Sequence, residues 1–153
     1  ADFTVRAEED IVVTSDVLEY FTWTAETLRD DKKILAALGW SDHLYENDAQ
    51  FSEVQTLEWF NPLIWGTWRD RWDEVLSPTW DFDYSWDGWD HHLNRQIIPD
   101  GGYSLVRPRY SRSQHIGKHE GTHMIPQNYL ESTTAFFQPE IPGQNYFLVD
   151  RRY

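Results

Sequence analysis

The sequence holds no cysteine, which excludes a disulfide framework, a thiolate nucleophile and cysteine-ligated zinc. It contains no apolar run near the roughly 18 residues of a bilayer-crossing helix, and no basic segment leading into an apolar stretch at its start. Positive charge is scarce: 13 Lys and Arg stand against 26 Asp and Glu, a formal net charge of -13 at pH 7. Such a field repels phosphate backbones and anionic lipid, so nucleic acid is not an expected partner unless a cation intervenes. What is plentiful is aromatic surface. Nine Trp, eight Tyr and eight Phe are too many for an acidic disordered tail, and the 153 residues suit a single domain or part-domain spanning 1–153. No repeat or low-complexity tract interrupts it.

Phe3-Thr4-Val5-Arg6-Ala7 alternates as a strand does, and Glu8-Glu9-Asp10 gathers carboxylates at its end, before the apolar step Ile11-Val12-Val13. So apolar an edge, so early, implies a neighbour supplied by preceding sequence. Asp16 and Glu19 have the spacing of a capping box, and Leu18, Phe21, Ala25 and Leu28 recur as one helical face. Ile34-Leu35-Ala36-Ala37-Leu38 reads as a strand buried on both sides, followed by a polar loop over 42–52. Thr56-Leu57-Glu58-Trp59-Phe60 is a further strand candidate. Asn61-Pro62 then predicts a helix start, with Trp65, Trp68, Trp72 and Val75 on one face. A loop from Pro78 leads into a short helix over 86–94, Pro99-Asp100-Gly101-Gly102 turns the chain, and residues 107–123 read as a polar, His-rich binding loop. Tyr146-Phe147-Leu148-Val149 is a last strand. Strands alternating with helices predict an α/β fold.

Three constellations carry possible chemistry. Glu8-Glu9-Asp10 stands where open α/β sheets bind ligands, and a carboxylate there suits a hard divalent cation that keeps substrate phosphates in its shell. The plain alternative is a solvated acidic turn. Trp80 to Asp90 interleaves aromatic rings with Asp81, Asp83, Asp87 and Asp90. Rings of this kind stack on sugar faces, and a carboxylate desolvated between them is suited to take a hydroxyl proton. The alternative there is a Trp-anchored packing loop. His119-Glu120-Gly121-Thr122-His123, with His115 upstream, matches the H-E-x-x-H zinc-hydrolase pattern, but Gly121, Thr122 and Pro126 argue against the helix which that chemistry requires.

Taken in order, these segments resemble the C-terminal half of the catalytic domain of glycosyltransferase family 13, GT-A enzymes that transfer β-1,2-linked N-acetylglucosamine from UDP-GlcNAc to mannose. The family's E-D-D strand end and P-D-F-F-E-Y-F helix are similar to the block from Glu8 through Ser15-Asp16-Val17-Leu18-Glu19-Tyr20-Phe21. Its L-G-W and E-P-K-W resemble Leu63-Ile64-Trp65 and Ser77-Pro78-Thr79-Trp80, and its W-D-x-W resembles Trp86-Asp87-Gly88-Trp89. R-P-x-x-S-R-[ST] corresponds to Arg107-Pro108-Arg109-Tyr110-Ser111-Arg112-Ser113, and a gapped F-G-x-x-G-x-S-H to Ile116 through His123. The chain departs from the pattern at Glu9, the middle acid, and at Asn61-Pro62-Leu63-Ile64-Trp65, where the family has P-G-L-G-W. A cysteine the family carries before R-P is missing, and there is an insertion near Gly101-Gly102.

The resemblance implies a GT-A-like mixed sheet with flanking helices, without the family's preceding nucleotide-binding half. It implies that Asp10 holds Mn2+ (or Mg2+) against the UDP diphosphate, with Glu8 and Glu9 against ribose and sugar. Asp87 becomes the general base on the mannose hydroxyl and Trp86 shapes the sugar pocket. Ser111, Arg112 and Thr122 become substrate-binding residues, and 107–126 an active-site loop that closes over the donor. The expected partners are UDP-GlcNAc and a mannose-containing glycan of a glycoprotein, and the implied location is the Golgi lumen. Two other readings stay open: a non-catalytic structural or interaction module derived from this fold, and, ranked below it, a zinc hydrolase.

Overall fold

A computed structural model describes residues 2–42, 51–80, 88–116 and 139–149. The elements run β1 (Phe3–Ala7), β2 (Ile11–Val13), α1 (Val17–Thr27), β3 (Ile34–Leu38), β4 (Glu53–Leu57) and β5 (Ile64–Trp68). Then come a helical segment α2 over 69–79, a second, α3, over 89–101, and β6 (Ser104–Pro108), β7 (Ser113–His115) and β8 (Phe147–Val149). In both α2 and α3 the middle turn, Trp72–Leu76 and Leu93–Ile97, is π-wound.

Six strands form one mixed sheet in the order β1-β5-β3-β6-β4-β8, and β2 pairs with β7 in a separate two-stranded ribbon. The β3–β6 and β4–β8 pairs are parallel and the other sheet pairs antiparallel, so the expected α/β mixed sheet with flanking helices is the observed architecture. Apolar side chains divide between its two faces. Tyr20, Phe21 and Leu28 of the α1 region pack with Ile34, Ala37, Ile64, Trp68 and Val106 on one side. Leu76 of α2 and Leu93 and Ile98 of α3 pack with Leu35, Ala36, Leu38, Trp65 and Leu105 on the other. A register irregularity between Ile34 and Ala36 explains why Leu35 and Ala36 share one face. Gly102, at φ 59, ends α3 in the left-handed conformation that glycine adopts without steric cost. Among the described residues no helix is long and apolar enough to cross a membrane.

Strand Phe3–Ala7 lies where the alternation predicts it, Ile34–Leu38 where the continuous apolar run does, Phe147–Val149 falls within the expected Tyr146–Val149, and α1 follows Asp16. Four expectations need correction. Residues 64–68 form a strand, not the first turns of a helix. Coverage from both sides buries all of them, and a doubly buried strand has a continuous apolar run that periodicity cannot separate from helix. Trp65 and Trp68 therefore face opposite sides, and the helix begins at Arg69. The strand expected at 56–60 sits earlier, at Glu53–Leu57, leaving Trp59 60% exposed. In α1 the buried positions include Val17, Tyr20 and Thr24, while Leu18 is 73% exposed, and Asp16 makes no side-chain cap. Finally, 107–115 is not an open loop: it comprises the end of β6, a buried link and β7. The polar loop after Asp42 and the rest of the His-rich stretch lie largely outside the described residues.

Candidate active site

β1, at the edge of the sheet, leads into the Glu8-Glu9-Asp10 turn, and the Glu8 amide donates to the Leu63 carbonyl at 2.9 Å. The β2–β7 ribbon holds the other side of the turn. Its register sets Ile11 opposite His115, and the Ile116 amide donates to the Asp10 carbonyl at 2.8 Å. This delivers the imidazole to the carboxylate: His115 Nε2 lies 2.8 Å from Asp10 Oδ2, the Asp10 side chain being 38% exposed and that of His115 14%. Burial pushes the Glu8 carboxyl above its usual range. The Arg6 guanidinium opposes this, while Asp10 and Glu9 add to it. Half-sheltered acids at a strand end, with one carboxylate oriented by a ring N–H, can hold a hard cation.

Ser111 and Arg112, expected at a substrate, are instead 0% exposed. Ser111 Oγ accepts from the Ser41 amide at 3.0 Å and donates to the Ser113 carbonyl at 2.6 Å. Arg112 Nε donates to Asp16 Oδ2 at 2.8 Å, Nη1 to the Tyr110 carbonyl at 2.6 Å, and Nη2 to the Phe51 carbonyl. Both residues serve the scaffold because the interior is what satisfies them. Asp87, Trp86 and Thr122, together with His119, Glu120 and His123, lie outside the described residues.

A second feature lies along β1. A cavity of about 730 Å³ is bounded by Arg6 of β1, by Trp65, and by Trp72, Asp73, Trp80 and Trp89 of the helical layer. Trp80 and Trp89 stack, ring centroids 4.8 Å apart and planes 26° from parallel, and Trp72 meets Trp80 at 5.2 Å. The Arg6 guanidinium lies 5.5 Å from the Trp89 ring centroid. Trp80 and Trp89 stand on either side of segment 81–87 in the sequence, and the Arg6 contact sets Trp89 beside β1, the strand that runs into Glu8. Indole faces with charged neighbours make a surface of the kind that sugars bind.

The GNT-I family model matches residues 3–132. The chain belongs to the GNT-I family. It is 32% identical over 120 residues to the alpha-1,3-mannosyl-glycoprotein 2-beta-N-acetylglucosaminyltransferase of Arabidopsis thaliana, an alignment covering 73% of this chain and 24% of that protein. The chain thus spans about a quarter of the length of the curated relative it matches. The span matched to the GNT-I family takes in the acidic turn, the aromatic cavity, segment 81–87 and the stretch holding His119 and His123. That last stretch needs no zinc motif to account for it.

His115 was legible in the sequence only as a neighbour of the His-rich run. Its meeting with Asp10 joins two three-residue strands far apart in the chain, for which no local pattern exists. A cation fits the donor set in one way. Among the described residues no three His, Asp or Glu side chains converge on a point, so those residues alone would not complete a cation's shell at Asp10, and ligand oxygens and water would take positions in it.

Proposed function

We propose that this chain is the metal-binding and acceptor-side portion of an inverting N-acetylglucosaminyltransferase that moves N-acetylglucosamine from UDP-GlcNAc to a mannose hydroxyl of a glycoprotein. The observation that carries the reading is the half-exposed Asp10 carboxylate at the end of an edge strand, inside a span matched to the GNT-I family. The name of the Arabidopsis thaliana relative supports the mannosyl-glycoprotein acceptor.

In this reading Asp10 holds Mn2+ or Mg2+, and Glu8 and Glu9 lie against the ribose and sugar of the donor. Such a cation neutralises charge that develops on a diphosphate leaving group. Asp87 takes the proton of the attacking mannose hydroxyl, and Trp86 with the neighbouring indoles orients the sugar by face contact. Thr122 reaches a donor phosphate, and the loop carrying it sheds water from the donor. The compartment that fits a glycoprotein acceptor is the secretory pathway, specifically the Golgi lumen.

The test is UDP release from UDP-GlcNAc in the presence of Mn2+ and a mannoside. Asp87→Asn should lower kcat by about 10²- to 10⁴-fold, the usual contribution of a general base. A folded wild-type protein releasing no UDP under these conditions would leave the non-catalytic module standing, and an Asp87→Asn rate equal to wild type would remove Asp87 from the mechanism.

A further inference from the structure

Resting on the proposed metal role of Asp10, we infer that His115 is its positioning residue: the imidazole fixes one carboxylate oxygen through Nε2–H and leaves the other open toward the cation. Oδ2 can only accept, so the proton of the 2.8 Å contact belongs to Nε2. His115 Nδ1 is buried and has no hydrogen-bond partner among the described residues. A proton there would be a buried donor without a partner among the described residues, so the geometry matches the Nε2–H tautomer.

A ring N–H on Oδ2 orients the Asp10 carboxylate and leaves its other oxygen free to meet a cation. The remaining oxygen, Oδ1, takes no hydrogen bond from the described residues, and the side chain is 38% exposed. Among the described residues no group of three such side chains gathers there, so the rotamer of the Asp10 carboxylate bears directly on the site. The ring is held by backbone, not by chance: the register of Ile11 with His115 and the Ile116 amide on the Asp10 carbonyl fix its distance. His115 does not itself ligate, because Nε2 is occupied by Asp10 and Nδ1 points into the interior.

The experiment titrates Mn2+ into the protein with saturating UDP and reads unbound Mn2+ by electron paramagnetic resonance. His115→Phe keeps the ring and loses the donor, so it should weaken Mn2+ binding by about 10- to 100-fold, with a metal-free thermal midpoint close to that of wild type. His115→Gln, which returns an N–H near the Nε2 position, should recover most of the loss. Undiminished Mn2+ affinity in His115→Phe overturns the positioning role while leaving the metal reading intact. A wild-type protein that binds no Mn2+ overturns the metal reading and this inference with it. Should His115→Phe fail to fold, the ¹⁵N shifts of the His115 ring in the wild type decide. A protonated Nε2 with a bare Nδ1 is expected, and the opposite tautomer refutes the inference.

Discussion

Replacing Arg112 with methionine removes the cation from an ion pair whose two side chains are both 0% exposed. Asp16 would keep Thr14 Oγ1 and the Tyr146 hydroxyl as donors, each at 2.7 Å, but its charge would be stranded. With charge centres about 4 Å apart and an effective dielectric of about 20, the lost attraction is about 4 kcal/mol. Breaking one side of a buried pair costs about 3–5 kcal/mol by analogy with measured cases. The carbonyls of Tyr110 and Phe51 lose their donor as well, so we expect a loss toward the upper end of that range. This is a large share of the 5–15 kcal/mol that holds a typical domain, roughly a third or more. Urea titration followed by tryptophan fluorescence should show the midpoint falling while the slope is kept. Asp16→Asn combined with Arg112→Met should be less harmful than the two single losses added together, by about 1.5 kcal/mol or more, because the residues share one network. A single-variant loss below about 1 kcal/mol, or strict additivity, would falsify the account of Arg112 as buried scaffold and return it to the substrate side.

Other perturbations test the surrounding structure. Arg71, 3% exposed, donates Nη2 to the Arg29 and Asp31 carbonyls at 2.6 and 3.0 Å and lies over the Trp68 ring, so Arg71→Met should cost about 3 kcal/mol or more in the same titration. Burial alone would raise the Asp70 carboxyl, but Lys32 and Arg71 outweigh it and hold it well below the usual carboxylate range. A lowered folded-state value adds stability above the unfolded value near about 3.9, and that contribution disappears as the pH falls below it; Asp70→Asn should flatten the acid limb of a plot of thermal midpoint against pH. A Cβ at Gly66 would stand 2.6 Å from the Phe3 ring and 3.1 Å from the Thr4 carbonyl, so Gly66→Ala should cost about 1–3 kcal/mol, and a neutral result would mean that β1 pairs more loosely than described. Asp10→Asn keeps the acceptor for His115 and loses the charge, so Mn2+ binding should drop without a comparable fall in thermal midpoint.

Local pattern was enough for the parts of this protein whose environment is uniform along an element. The alternation of Phe3–Ala7, the doubly apolar Ile34–Leu38, the helix after Asp16 and the acidic strand end at Glu8-Glu9-Asp10 all follow from side-chain period and turn chemistry, and so does the α/β class. The ordered motifs also carried the resemblance that the family match bears out. What the chain could not disclose alone depends on what lies across the sheet. Residues 64–68 are a strand because two layers bury them, although their tryptophans repeat at helical spacing. Asp16 looks like a cap but is held by Arg112 and Tyr146, from segments that meet it only after folding. The polar run of Ser111 and Arg112 reads as solvent-facing until its partners are known, because burial of a polar group depends on distant atoms that satisfy it. His115 joins Asp10 for the same reason: a pairing of short strands separated by most of the chain leaves no periodic trace, and only tertiary closure sets the two side chains 2.8 Å apart.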